Sequence, residues 1–122
     1  NTKYIVEIRG SGNYAASICY DLELNGYDDW YLPSKYELDL MQLNIGGAAP
    51  SPNTNIGNFS TWEFSPGYYD SRLYWSSNSY SSNPDGPSYE VYYTQLADDY
   101  IDAQFLDASS SSYTAVRAIR SF

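Results

Sequence analysis

The feature that most constrains the fold of this chain is a change in the period of its apolar residues. Around residues 34–45 the spacing is helical. Ser34 and Glu37 stand in the S-x-x-E relation of a capping box, Leu38, Met41 and Ile45 follow at i, i+3 and i+7, and Gly46-Gly47 closes the run. An earlier stretch carries the same period more briefly: Asn13 can cap a helix to about Leu22, with Tyr14, Ile18 and Leu22 on one face and Asn25-Gly26 as its stop. After Leu73 the period falls to two. Leu73-Tyr74-Trp75-Ser76-Ser77 reads as a strand, and Asn83-Pro84-Asp85-Gly86-Pro87 as a turn. Ser88 to Leu96 alternates, with Tyr89, Val91, Tyr93 and Gln95 on one face and Glu90, Tyr92, Thr94 and Leu96 on the other. From Tyr100 to Leu106, Ile101, Ala103 and Phe105 point inward while Tyr100, Asp102 and Gln104 point out.

The remaining segments complete an α+β reading, with two early helices and a late antiparallel sheet. Tyr4-Ile5-Val6-Glu7-Ile8 is a short β-branched run ended by Gly10 and Gly12, so it reads as a strand. Trp30 and Leu32 precede the capping box and are placed to staple the helix entry to the core. Residues 46–72 carry Pro50, Pro52, Gly57, Pro66 and Gly67 without sustained periodicity and read as one long loop, pinned by aromatic side chains. Val116 to Phe122 reads as the last strand, with a β-bulge between Val116 and Ile119. With 122 residues the chain is one domain, 1–122, and its abrupt start at Asn1 is expected of the C-terminal domain of a longer protein.

Charge and composition narrow the function. The formal net charge is −9, and the cations Lys3, Arg9, Lys35, Arg72, Arg117 and Arg120 leave 73–116 without any. That stretch instead carries Asp85, Glu90, Asp98, Asp99, Asp102 and Asp107, a surface that repels phosphate and sulfate backbones. Nucleic acid and anionic membranes are poor partners, and no apolar run is long enough to insert into a bilayer. There is no His, and Cys19 is the lone cysteine, so it forms no internal disulfide and has no His to act as its base. It reads as a small buried apolar residue. No catalytic residue, metal ligand or cofactor is assigned.

Three segments together resemble one family. They are Tyr14-Ala15-Ala16 with Cys19 and Asn25-Gly26-Tyr27-Asp28-Asp29-Trp30-Tyr31-Leu32-Pro33-Ser34 through Glu37-Leu38; Tyr74-Trp75-Ser76-Ser77; and Val116-Arg117-Ala118-Ile119-Arg120-Ser121-Phe122. In this order they look like the Lcl C-terminal domain family, named after a bacterial collagen-like adhesin. The resemblance implies a C-type-lectin-like fold of the formylglycine-generating-enzyme variety, and adhesion or receptor binding on a bacterial cell surface, a pilus tip or a phage virion tail. It also implies kinship with the variable proteins of diversity-generating retroelements. In those proteins adenine-directed mutagenesis enriches Asn, Tyr, Ser, Asp, Ala, Thr and Gly ahead of a constant ending, and such residues are abundant here between Trp75 and Ala115. Two departures stand out. The acidic stretch opposes the glycosaminoglycan binding associated with the named adhesin, and Cys19 lacks the partner that formylglycine-generating chemistry requires.

The Tyr-rich stretch supplies the candidate ligand-binding residues: Tyr89, Tyr92, Tyr93, Asp98, Asp99, Tyr100, Asp102, Ser110, Ser112 and Tyr113. Tyr gives a large contact area at low entropic cost, and short polar side chains give adaptable hydrogen bonds. The expected partner is a protein or glycan receptor. Arg117 and Arg120 are expected to serve the framework through ion pairs or bonds to carbonyls. Three alternatives draw on the same residues. A calcium-dependent carbohydrate-binding lectin would use Asn83-Pro84-Asp85 or the Asp98, Asp99, Asp102 group. A structural tip or assembly domain would be a homo-oligomer, such as a trimer, packed through its Tyr face. A glycoside hydrolase would use paired acids such as Asp99 and Asp102, which stand in no recognisable catalytic motif.

Overall fold

The structure, a computed structural model, describes residues 1–71, 73–80, 90–97, 103–107 and 114–121. Its class is α+β. The first element corrects the sequence reading: residues 4–8 lie in helix α1, Thr2–Arg9, rather than in a strand. Thr2 and Val6, four apart, are the buried pair, whereas Tyr4 and Ile8 are 67% and 68% exposed. Helix propensity differences of only about 0.5 kcal/mol per β-branched residue yield to that packing. The first turn is also tied down at a distance. The Thr2 hydroxyl accepts from the Leu32 amide at 2.9 Å and donates to the Leu32 carbonyl at 3.3 Å. Gly10, at φ 79°, ends the helix with its amide on the Val6 carbonyl.

Helix α2, Ala15–Tyr20, is shorter than expected and buries a different face. Ala16, Ser17 and Cys19 are buried, while Ile18 is 47% exposed. Of the predicted Tyr14–Ile18–Leu22 face, Tyr14 packs against the core and Leu22 is half-buried, but Ile18 is turned to solvent and the small side chains take the buried positions. Asn13 does not cap it: the N-cap position is Tyr14, and the Gly12 amide donates to the Ser17 hydroxyl. Asn25 and Gly26 take φ of 55° and 78°, as a left-handed stop requires.

Helix α3, Lys35–Ile45, follows its sequence signals. The Glu37 amide donates to the Ser34 hydroxyl at 3.2 Å, and the Ser34 amide donates to the Glu37 carboxylate at 2.7 Å. Leu38 is fully buried, and Met41 and Ile45 pack on the same cluster with Phe59, Tyr74 and Leu96. Gly46 follows where chains press together. A Cβ there would lie 2.5 Å from the Leu96 carbonyl oxygen and 2.6 Å from the Gln42 Cα, so only glycine fits.

The span read as one loop divides in two. Residues 46–60 are irregular, but β1, Thr61–Ser65, and β2, Tyr68–Ser71, form an antiparallel hairpin across Pro66-Gly67. Proline followed by glycine at φ 81° has the signature of a type II turn, and the density of turn residues masked two short strands. The main sheet contains β3, Leu73–Tyr80; β4, Glu90–Gln95; β5, Ala103–Asp107; and β6, Thr114–Ala115, in the order β5-β4-β3-β6. The β3, β4 and β5 pairings are antiparallel, but β6 runs parallel to β3, so the sheet is mixed rather than purely antiparallel. Over the described residues 116–121 the predicted last strand is not continuous: β6 precedes it, and Ile119 makes an isolated bridge with Tyr31. Among the described residues the ladder irregularities lie not at 116–119 but in β3, between Trp75 and Ser79, and in the hairpin, between Glu63 and Ser65.

Neighbouring residues of β3 serve two cores. Tyr74 is buried with Leu38, Phe59 and Leu96, while Trp75 packs with Val6, Ala16, Cys19 and Leu32. Ala115 and Val116 divide between the same two clusters. Strand alternation thus gives the sheet apolar cover on both faces. Leu38→Ala should lower unfolding free energy by about 2–5 kcal/mol in urea denaturation, whereas Ile18→Ala should stay within about 0.5 kcal/mol.

Acid should weaken the fold in a defined direction. Burial tends to raise the Glu37 carboxyl, but hydrogen bonds from the Ser34 amide and hydroxyl and from Tyr31 outweigh it and hold it low. The Arg120 hydrogen bonds hold Asp29 low as well. Groups with depressed folded-state pKa values contribute stability above the unfolded value and lose it as pH falls through the folded one. The melting temperature should therefore drop as pH falls below about 4, and Glu37→Gln should flatten that drop.

Candidate functional site

The N-terminal end of α3 meets the sheet where β3 loses its regular register. The Lys35 amide donates to Asn78 Oδ1 at 2.8 Å, and the Ser77 amide donates to the Pro33 carbonyl at 2.7 Å. Asn78 is held in turn by the buried Ser76, whose hydroxyl accepts from the Asn78 amide at 3.2 Å. Such irregularities re-aim side chains locally. Here the shift brings the Asn78 side chain onto the first turn of α3.

A cleft of about 330 Å³ opens at this junction, lined by Ser34, Lys35, Tyr36, Asp39, Asn78 and Tyr92. Lys35 Nζ lies 2.7 Å from Asp39 Oδ2 and 5.9 Å from the centre of the Tyr92 ring. Tyr36 is 70% exposed and Tyr92 half-buried. The cleft thus offers two phenol rings beside an ammonium, a carboxylate and a carboxamide. Aromatic faces with adjacent donors and acceptors suit recognition of a partially polar surface. Cys19 lies elsewhere: it is fully buried in the α1–α2 core, and burial pushes its thiol up to about 11.

The predicted ligand-binding residues separate here. Tyr92 borders the cleft. Tyr93 is only 7% exposed, on a strand flanked on both sides, and registers with Trp75 and Gln104. Because β4 is interior to the sheet and covered on both faces, its alternation does not separate an outer from an inner side; Tyr93, Thr94 and Leu96 are all buried. Tyr89, Asp98, Asp99, Tyr100, Asp102, Ser110, Ser112 and Tyr113 lie outside the described residues, as does the Asn83-Pro84-Asp85 turn. Their nearest described anchors are strand ends. Tyr80, Glu90 and Asp107 register at one end of the sheet, and Thr94 with Ala103 near the other.

Lys35, Tyr36, Asp39 and Asn78 were not among the sequence candidates. The i, i+4 Lys35–Asp39 pair and the position of Tyr36 off the Leu38–Met41–Ile45 stripe were visible signals; the approach of Asn78 from 43 residues away was not.

Of the two C-terminal arginines, Arg120 is tied into the framework by an ion pair, as expected. Arg120 makes a bidentate pair with Asp29, Nε to Oδ1 at 2.8 Å and Nη2 to Oδ2 at 3.1 Å, and stacks 3.5 Å from the Tyr27 ring centre. Arg117 lies 4.9 Å from the Phe59 ring centre and donates to the Gly57 carbonyl at 3.4 Å. No helix among the described residues is long and apolar enough to cross a membrane. No family model, curated protein or solved structure matches the chain.

Two tyrosines adjacent in sequence should respond oppositely. Tyr93→Ala should cost about 3 kcal/mol or more of stability in urea denaturation, as truncation of a buried aromatic does, and Tyr92→Ala should cost less than half of that. A thiol reagent should leave Cys19 unmodified in the native protein and label it fully in denaturant.

Proposed function

We propose that this chain is a non-enzymatic binding domain with a C-type-lectin-like fold, similar to the Lcl C-terminal adhesin family. Its Tyr-, Ser- and Asp-rich face engages a protein or glycan receptor at a cell surface, pilus tip or virion tail. The observation that carries this reading is Tyr92: a half-buried phenol at the rim of an open cleft, on a strand packed on both faces. Side chains mounted on a framework of that kind lose little entropy on binding. The absence of any Lys or Arg between 73 and 116 favours a neutral or basic receptor surface over a polyanion.

The resemblance to retroelement variable proteins deepens the proposal. Tyr, Ser, Asp and Asn are products of adenine-directed codon change, and they crowd the stretch before the V-R-A-I-R-S-F ending. In this reading the segments carrying Tyr89, Asp98, Asp99, Tyr100, Asp102, Ser110, Ser112 and Tyr113 vary, while the two cores and the C-terminal arginines stay constant.

The test is receptor binding by variants. Tyr100→Ala combined with Tyr113→Ala should abolish binding, a loss of at least about 2 kcal/mol for anchoring aromatics, and leave the melting temperature nearly unchanged. Chelation with EDTA should alter neither quantity. Normal binding by the double variant would refute the site, and loss of binding on chelation would favour a calcium-dependent lectin instead.

A further inference from the structure

A second concavity, sharing no residue with the Tyr92 cleft, lies between α3, the irregular 46–60 segment and the C-terminal stretch. Its volume is about 430 Å³, within the range of roughly 300–1,000 Å³ typical of small-ligand sites. Half-buried Trp30, Met41 and Ile45 line it together with the buried ring of Phe59, so its surface is largely apolar. Arg117 and Arg120 line it too.

These two cations differ in what they already hold. Arg120 is matched by the Asp29 carboxylate, two hydrogen bonds against one guanidinium. Arg117 is in no ion pair among the described residues, in a chain that carries a formal charge of −9. Its hydrogen bond to the Gly57 carbonyl is long at 3.4 Å, and its remaining contact is with the Phe59 ring. A guanidinium presents a planar fork of donors suited to a carboxylate. Fixed against an aromatic ring at the edge of an apolar groove, this one is oriented with most of that fork unused.

We infer that this groove binds a monocarboxylate carrying an aromatic or branched apolar body, with the carboxylate on Arg117 and the body against Trp30, Met41 and Phe59. The chain's negative charge does not exclude such a ligand, because exposed charges beyond about 8 Å are largely screened at physiological salt. It does disfavour polyanions, whose further charges would meet the surrounding carboxylates. The same chemistry is offered by a free aryl-alkyl carboxylic acid and by the C-terminus of a peptide ending in an aromatic residue.

The experiment is a titration of the isotopically labelled protein, following the Arg117 Nε–H and Trp30 Nε1–H resonances. The probes are 3-phenylpropionate, an acetylated dipeptide ending in phenylalanine with a free carboxylate, and the carboxamide of each. Saturable shifts of both resonances by a carboxylate, with its carboxamide at least tenfold weaker, are expected; tenfold is about 1.4 kcal/mol. Arg117→Gln should lose the discrimination and Arg117→Lys should regain part of it, while Tyr92→Ala should leave binding unchanged, which separates this groove from the proposed receptor site. Preference for phenylpropionate marks a free acid as the natural source, and preference for the dipeptide a chain terminus. Equal binding of acid and amide, or no saturation by about 10 mM (a binding free energy weaker than roughly 3 kcal/mol), overturns the assignment. The acid–amide comparison on the unaltered protein decides the matter even if the Arg117 variants do not fold.

Discussion

The short stretch from Asp29 to Lys35 is the tie on which the rest of the structure depends. As far as Ser34 it lies outside any named helix or strand, so its backbone groups must find partners elsewhere. They find them in three distant parts of the chain. Leu32 exchanges two hydrogen bonds with the Thr2 hydroxyl, Tyr31 exchanges two with Ile119, and Pro33 and Lys35 reach Ser77 and Asn78 of β3. Asp29 adds the Arg120 pair. The N-terminal helix, the sheet and the C-terminal segment are thus joined through seven consecutive residues, and the Ser34 capping box starts α3 at their far end.

That arrangement explains why the two core clusters form on opposite sides of one sheet. Leu32 belongs to the cluster with Val6, Cys19 and Trp75, while the helix that begins two residues after Pro33 carries Leu38 into the other. The two concavities follow from the same geometry. Tyr92 and the N-terminal turn of α3 meet because Asn78 is drawn onto the Lys35 amide, and the apolar groove exists because the C-terminal strand of contacts lays Arg117 over Phe59. Two concave surfaces of different chemistry therefore share one framework.

How much of this was legible depended on the range of the interactions. The α3 signals are local, a cap and its stripe three or four residues apart, and the sequence read them correctly, as it did the strands around Trp75 and Tyr93. The first helix was misread because Ile5, Val6 and Ile8 favour strands, and only the distant Leu32 contact and the burial of Val6 decide otherwise. In α2 the large side chains suggested one face, of which Tyr14 packs on the core, but the buried positions went to the small residues Ala16, Ser17 and Cys19. The β1–β2 hairpin hid among turn residues. For the candidate site, the Tyr-rich composition pointed to Tyr92, but alternation alone could not show that β4 is interior and its Tyr93 buried. Lys35 and Asp39 stand at a helical spacing the sequence shows, but Asn78 joined the site through a contact that no spacing rule encodes.

The central claim is that residues 29–35 lock the two ends of the chain and the sheet into a single stiff unit. Amide hydrogen exchange measures this directly. The Tyr31, Leu32, Lys35, Ser77 and Ile119 amides should exchange only through the same global opening that exposes Tyr93 and Thr94 in the sheet interior. Exchange of Tyr31 and Ile119 about a hundredfold faster than those interior amides, equivalent to an opening roughly 2.7 kcal/mol easier, would show that the C-terminal segment frays independently and would contradict the account.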